Sequence, residues 1–470
     1  VWTIERIAEG VGGRVHLPDL ACEVRGFAID SRTLQPGELF IALAGERTDG
    51  HLFLDEAFCR GASGALVHKL PREWGEGFRN LIEVPDTLEA LQRLASNRRG
   101  EFAGPIVGIT GSSGKTTTKE LLYAILTAFA AGDSAAHSQK YRAYRSPGNY
   151  NTEIGLPLAL LEMPPQTEAG IFELALQRPG DIKELTAIAR PTIGVLTTIG
   201  EAHLGFFPDR EALAREKWEL IAALPPEGTA IVNLDAPYLA EWSKQITQRV
   251  VGFALKSGRA EVRAENICDE SLGGISFEIC ASIGRFEVRT QLLGRANVSN
   301  VLAAAACALE LGVEPEAIQK ALEDFKPFPH RLELKRSRRF GLILDDSYNA
   351  SPSSTKESLK TLARLKAPYR KVFVFGDMLE LGDFSPALHR EIAEVILELG
   401  IERVFTLGEL TRETAEALRE AGWGPERVKS ADDLEGLRKL IERELSDGLN
   451  LILVKGSRAM GLDRLVEMLL

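Results

Sequence analysis

Apolar and polar positions fall along this chain in blocks, and the blocks predict the fold. PIVGIT (105–110) is an unbroken apolar run, the pattern of a strand buried on both faces of a parallel sheet. A Gly-rich turn and a helix-forming stretch, KTTTKELLYAILTAF (115–129), follow it. GIFELAL (170–176), TIGVLTT (192–198) and TAIVNLD (229–235) are further strand candidates, some separated by helical stretches. That alternation predicts a mostly parallel α/β sheet. ISFEI (275–279) and GRFEVRTQLL (284–293) are close together and alternating, so an antiparallel appendage is expected there. Upstream, LFIAL (39–43) and GALV (64–67) alternate with polar turns and helical stretches as far as the charged ASNRRGEFAG (95–104). Downstream of KPFPHR (326–331), GLILDD (341–346), KVFVFGD (371–377), RVFTLG (403–408) and LILVKG (451–456) read as strands. Helices are expected between them at 353–366, 386–399, 410–421 and 431–445, giving a second doubly wound domain. The predicted class is α/β, in three domains spanning 1–100, 101–331 and 332–470.

The same periodicity singles out chemistry. On EALAREKWELIAAL, the i−4, i−3, i+3 and i+4 neighbours of Lys217 are Leu213, Ala214, Leu220 and Ile221. This lysine therefore lies on the apolar stripe, where lysines are rare unless paired; a side chain snorkelling along the helix is the alternative. Glu173 shares a strand face with Ile171 and Ala175 inside GIFELAL. A carboxylate there needs a partner or a metal unless it sits at a strand end and reaches water. His203 follows the strand TIGVLTT, at the end where doubly wound sheets collect ligands. A helix is expected after Asn297 in LGRANVSNVLAAAACALELG (293–312), with Asn297 and Asn300 as caps or as readers of a base edge. DDSYNASPSS (345–354) is a strand end followed by turn residues, open to a site or to a plain Asx-turn and helix cap.

Residues 108–118, GITGSSGKTTT, supply the most specific pattern. Strand, glycine turn, Lys-Thr and helix stand in the order of a P-loop. Gly111 and Gly114 let backbone N–H groups, with those of Ser112 and Ser113, converge on phosphate. The helix N-terminus, the Lys115 charge and the hydroxyls of Thr116 and Thr117 complete a nucleotide site, with Thr116 able to hold Mg²⁺. Ile109 stands where the strict motif has its first glycine.

Composition narrows the class. The chain has 470 residues, Lys+Arg 56 against Asp+Glu 67, and a formal net charge of −11. That argues against general nucleic-acid binding while permitting a local basic pocket. Five scattered cysteines without a CxxC pair suggest neither a disulfide framework nor a zinc site. No apolar run approaches the roughly 18 residues of a membrane span. Glu5, Arg6 and Glu9 stand where a signal peptide would need an apolar core. A cytoplasmic protein with no membrane insertion is expected.

Taken together, seven strings resemble the Mur ligase family across essentially the whole chain. They are DSRTLQPGELFIALAGERTDGHLFLDEA (30–57), TGSSGKTTTKELL (110–122), SPGNYNTEIGLPL (146–158), GRANVSNVLAAAA (294–306), DDSYNASPSSTKESL (345–359), FGDMLELGDFSPALH (375–389) and LVKGSRAMGLDRLVE (453–467). The resemblance implies an N-terminal domain for a UDP-substrate, a central P-loop ATPase and a C-terminal Rossmann-like domain. DDSYNASP and GDMLELG point to the branch that adds D-alanyl-D-alanine to UDP-MurNAc-tripeptide, through an acyl phosphate, in peptidoglycan precursor synthesis. It further implies ATP and two Mg²⁺, with Lys115, Glu173, His203 and Lys217 catalytic. Thr116, Glu173, His203 and a carbamylated Lys217 would serve the metals. By the same resemblance Asn297 contacts adenine, and Arg331 and Asp346 reach phosphate and ribose. Tyr348 and Asn349 belong to that nucleotide-side loop. Ser31, Arg32, Thr48, Asp49 and His51 match the uridine-nucleotide region. Asn149, Asn151 and Thr152 match the loop facing the muramyl-peptide, and Lys455, Gly456, Ser457 and Arg458 the C-terminal turn. A monomer is expected. Three segments depart from the family pattern: AAGDSAAHSQKYRAYR (130–145), ELALQRPGDI (173–182) and HLGFFPD (203–209). A Mur-fold ligase with another amino acceptor, or a nucleotide-binding regulator that no longer ligates, are the competing functions.

Overall fold

The computed structural model describes residues 2–19, 22–45, 48–73, 77–128, 141–445 and 448–470. Most of the departing segment 130–145 lies outside them. Two compact units emerge, one formed by 1–108, 141–175 and 180–192, the other by 109–140, 176–179 and 193–470.

In the first unit a five-stranded sheet runs in the order Arg14–His16, Leu81–Glu83, Gly64–Val67, Glu38–Ile41, Gly26–Ala28. Only its first pair is antiparallel. Leu39, Ile41, Leu66 and Val67 are fully buried, which is why these runs carry no polar alternation. The helix Thr87–Gly100 starts where Asp86 accepts from the amides of Leu88 and Glu89 at 2.7 and 3.0 Å, a standard N-cap. It packs on the helices Gly155–Glu162 and Asp181–Ala189. The strand Ala169–Glu173 pairs in parallel with Ala143–Arg145.

In the second unit the strands Ile193–Leu196, Thr229–Asn233, Arg249–Ala254, Val262–Ser271, Gly274–Ala281 and Gly284–Thr290 lie side by side in sequence order. The first four are parallel and the last two antiparallel. The expected appendage is therefore a continuation of the sheet, carried by two strands, Arg249–Ala254 and Val262–Ser271, that are not among those expected from the sequence. The helix Lys115–Thr127 packs against the Ala-rich helix Arg295–Glu310. Ala303, Ala304, Ala305 and Ala306 are all buried, and their small side chains permit close packing.

The C-terminal sheet follows the order Glu333–Ser337, Gly341–Asp345, Asn450–Lys455, Arg370–Gly376, Arg403–Leu407, Val428–Ala431. All but the first strand are parallel, and Ile343, Val374, Phe405, Ile452 and Val454 fill the core beneath them. At the end of the second strand Asp345 is fully buried. It accepts from Lys335 Nζ at 2.7 Å, Ser347 Oγ at 2.6 Å and His330 Nδ1 at 2.8 Å. Burial pushes its carboxyl up, but the bonds from Lys335, Ser347 and His330 outweigh that and leave it below the usual range. Asp345→Asn is thus expected to destabilise the C-terminal domain by about 3 kcal/mol in urea unfolding near neutral pH, the cost of breaking a buried ion pair. Because the native carboxyl is the stronger acid, its contribution is present above the unfolded value of about 4 and fades as pH falls through the native one. The difference between variant and wild type should therefore shrink in acid.

Candidate active site

The P-loop lies between the strand ending at Thr110 and the helix starting at Lys115, with Gly114 in a left-handed conformation (φ +84°) at the junction. Gly111 has φ +145°, and a Cβ there would sit 2.0 Å from Thr197 Oγ1. One at Gly114 would sit 2.2 Å from Asn300 Oδ1. Both glycines are thus required by space as well as by backbone angle. The loop is tied to the end of the next strand. Ser112 N donates to Thr198 O at 2.9 Å, Ser113 N to Thr198 Oγ1 at 3.0 Å, and Thr197 Oγ1 to Ser113 O at 2.6 Å. Lys115 Nζ donates to Gly111 O at 2.9 Å, so it folds back over the loop it would serve.

Three basic side chains converge here. Lys217 is buried on the helix Arg210–Ala222, as its periodicity predicts, and snorkelling is excluded. Burial lowers its pKa well below the ordinary lysine value, the Lys115 charge adds to this, and Glu216 opposes it. His203 is also shifted down by burial, opposed by Glu380, with Lys217 and Lys115 both contributing repulsion. A place where burial and a neighbouring cation both disfavour a lysine's charge is set up to receive negative charge.

The C-terminal residues arrive at the same unit. Arg331 Nη2 donates to Thr116 Oγ1 at 3.0 Å, and its guanidinium lies 4.1 Å from the Tyr348 ring centroid. Arg458 approaches the same ring at 5.8 Å. Asp346 accepts from Leu332 N at 3.3 Å, Ser358 Oγ at 2.6 Å and Lys455 Nζ. Lys455 also donates to Asn349 O at 3.0 Å. The turn 456–457 is close-packed: a Cβ on Gly456 would lie 2.9 Å from Gly376 Cα, and Ser457 Oγ accepts from Leu379 N at 2.9 Å.

The Asn-bearing helix begins at Arg295, earlier than expected, with Gly294 (φ +82°) as its N-cap. Asn297 and Asn300 are therefore helical residues rather than caps. Asn297 Nδ2 donates to Leu293 O at 2.9 Å and Asn300 Nδ2 to Asn297 Oδ1 at 3.0 Å.

In the first unit, Glu173 closes its strand and is buried, so it does not reach water. Asn151 Nδ2 donates to it at 3.0 Å. The strand stops there, and Leu174 and Leu176 are buried beyond it. Thr152 Oγ1 accepts from Gly155 N at 3.3 Å, and Asn149 is exposed. Ser31 is buried and donates to Glu56 at 2.7 Å. His51 Nε2 accepts from His68 N at 3.1 Å, which leaves Nδ1 to donate to Asp49 at 2.7 Å. Asp49 also pairs with Lys69. Ser31 and His51 thus shape their loops, whereas Arg32 and Thr48 are exposed. Arg32 grips Asp30 through Nε and Nη2 at 2.9 and 2.7 Å and holds its carboxyl down at about 2.

Residues beyond those read from sequence complete the arrangement. Glu201 is buried, pairs with Arg210 and accepts from Ser353 N at 3.0 Å at the start of the helix Pro352–Arg364. Glu380 Oε2 lies 2.6 Å from His203 Nδ1. Within the departing HLGFFPD segment, Gly205 N donates to Glu380 O at 3.0 Å, and Asp209 caps the Lys217 helix by accepting from Ala212 N at 2.8 Å.

Comparison with known proteins places this fold in a family. Residues 23–99 match the Mur ligase family catalytic domain, 109–308 the Mur ligase middle domain, and 330–458 the Mur ligase glutamate ligase domain. The chain belongs to the Mur ligase family. It is 35% identical to the UDP-N-acetylmuramoyl-tripeptide–D-alanyl-D-alanine ligase of Bacillus subtilis (strain 168), over 99% of this chain and 97% of that protein. A crystal structure of MurF from Acinetobacter baumannii superposes with a TM-score of 0.87 at 29% identity, covering 100% of this chain and 98% of the other. MurF ligase from Thermotoga maritima, solved in complex with ADP, gives 0.81 at 30% identity, covering 95% and 97%. No helix among the described residues is long and apolar enough to cross a membrane.

Proposed function

We propose that the chain joins D-alanyl-D-alanine to the terminal carboxylate of UDP-MurNAc-tripeptide at the expense of ATP. The observation that carries this reading is the gathering of Lys115, His203 and a buried Lys217 at a glycine loop built for phosphate. A carboxylate is a poor electrophile, so phosphorylation must precede attack by the dipeptide amine; the resulting tetrahedral adduct expels phosphate to leave the amide. Two anions have to meet for the first transfer, which local positive charge and fixed amide donors favour. The P-loop amides and Lys115 would hold the β- and γ-phosphates in line. Arg331, bonded to Thr116 and stacked on Tyr348, would add charge from the C-terminal side, with Asp346 at the ribose and Asn297 at adenine.

The donor set suits Mg²⁺, a hard ion that prefers oxygen. Thr116 offers a hydroxyl in a mostly buried setting and Glu173 a buried carboxylate. Lys217 fits after carbamylation, in which its neutral amine adds to CO₂ and loses a proton, and His203 would complete a second position. The bound ions would screen the repulsion between phosphoryl and carboxylate oxygens. We place the domain boundaries near 100 and 331, the substrate's uridine end at Arg32 and Thr48, and the muramyl-peptide at 149–152. We infer a cytoplasmic monomer.

The test is direct. Protein incubated with ATP, Mg²⁺, UDP-MurNAc-tripeptide and D-alanyl-D-alanine should release ADP and form the dipeptide adduct by mass. ATP binding without adduct would overturn the reading, and an adduct with another amine only would reassign the acceptor.

A further inference from the structure

His203 stands at a left-handed backbone position (φ +68°) and begins the short 3-10 turn Leu204–Phe206. Its side chain is mostly buried, and Nδ1 is shut off from solvent. The Glu380 carboxylate lies 2.6 Å away but outside hydrogen-bond alignment, and no other described group bonds that nitrogen. The approach is built on both sides. A Cβ on Gly205 would lie 2.6 Å from Gly382 N, and one on Gly382 would lie 3.0 Å from Gly205 Cα. The two backbones therefore touch, joined by the Gly205 N to Glu380 O bond of 3.0 Å.

Glu380 itself has φ +63°, a strained setting for a residue with a side chain. Its loop is fixed within the C-terminal domain. Met378 N donates to the fully buried His389 Nε2 at 3.1 Å, and Leu379 N to Ser457 Oγ at 2.9 Å. Ser457 N returns to Asp377 O at 3.0 Å, and Asp377 Oδ1 accepts from Thr411 N at 2.8 Å. A half-exposed carboxylate on a strained, well-anchored loop has little reason to be there for stability alone.

We propose that Glu380 is a positioning residue. Lent by the C-terminal domain, its carboxylate is the acceptor toward which His203 Nδ1–H turns, which leaves Nε2 as the nitrogen with the available lone pair. A carboxylate on one ring nitrogen fixes tautomer and ring orientation for whatever the other nitrogen serves. Glu380 rides on the C-terminal sheet domain, whereas His203 follows the strand Ile193–Leu196. The imidazole is thus set only when the C-terminal domain is seated, with Glu201 on Ser353 as a second point of seating. The inference rests on the ligase reading for its consequence, but not for its contact.

Glu380→Gln keeps shape and loses charge, at a side chain that is 52% exposed, so the variant should fold. In the full chain with ¹⁵N-labelled histidine and ADP, the His203 resonances, assigned by their loss in His203→Gln, should report the Nδ1–H tautomer in wild type. In Glu380→Gln that preference should be lost and kcat should fall about 10- to 100-fold, the usual effect of such outer partners, with KM for ATP within about twofold. Glu380→Asp should recover part of both. Unchanged imidazole shifts overturn the proposal whether or not kcat falls, and so does a shifted tautomer with wild-type kcat. Wild-type protein that shows the tautomer but makes no dipeptide adduct would refute the ligase reading instead.

Discussion

Replacing Lys217 with methionine is expected to stop ligation, by roughly a thousandfold or more as for loss of a central electrostatic group, while leaving the chain at least as stable. The lysine is buried against Leu213, Ala214, Leu220 and Ile221 on its own helix. Burial and the Lys115 charge both disfavour its protonated form, with only Glu216 in opposition. Methionine fills nearly the same volume without a polar end, so the fold loses a costly group rather than a contact. A residue that weakens the core and yet is required for turnover is there for chemistry. Lys217→Ala should be equally inactive, but the space it opens should admit a short carboxylic acid that restores part of the rate, as a carbamate surrogate. Product mass and thermal unfolding on the same samples check both halves. Wild-type turnover in either variant would reject the carbamate role, and a large fall in melting temperature for the methionine variant would mark Lys217 as structural.

What could be read from the sequence was what is local. The phosphate loop is legible because strand, turn, Lys-Thr and helix sit within about a dozen residues and each has its own physical signature. Lys217 is legible because helical periodicity states which side of the helix it is on. The pattern around Glu173 allows either burial or a strand end; it is both, since the strand stops there with the side chain enclosed. The Asn-bearing helix starts earlier than its sequence suggests because its cap is Gly294 and not a Ser, Thr, Asp or Asn that would announce it. Val262–Ser271 is hard to read because VRAENICDES mixes charge into a strand with one parallel and one antiparallel neighbour, some of whose positions face water. The pairings that assemble the site are of another kind. Arg331 meets Thr116 across 215 residues of sequence, and Glu201 meets Ser353 across 152. Neither leaves a periodic trace. Glu380 sits in a recognised string, FGDMLELGDFSPALH, yet nothing in that string tells of its positive φ or of the histidine it faces.

The two P-loop glycines should respond unequally to alanine, and the ratio reads how the loop is built. At Gly111 the new methyl would lie 2.0 Å from Thr197 Oγ1 and 3.0 Å from the backbone nitrogen of Thr198. Thr197 cannot turn aside cheaply, because its buried hydroxyl bonds Ser113 O at 2.6 Å and Thr110 O at 3.2 Å. Relief must come from moving the loop away from the strand end that shapes it, on top of a backbone angle alanine resists at about 1–3 kcal/mol. ATP affinity is therefore expected to fall by more than about a hundredfold, the equivalent of about 2.7 kcal/mol. At Gly114 the clash at 2.2 Å is with Asn300 Oδ1, the far end of a side chain. Turning that amide forfeits its bond to Asn297, worth about 1 kcal/mol, and the left-handed angle adds about 1–2 kcal/mol. Since Gly114 also caps the Lys115 helix, the loss should still be real, about thirtyfold, but smaller. Calorimetric titration of both variants with a non-hydrolysable ATP analogue measures the order. Gly111→Ala binding as tightly as Gly114→Ala would mean that Thr197 is not the wall against which the phosphate loop is formed.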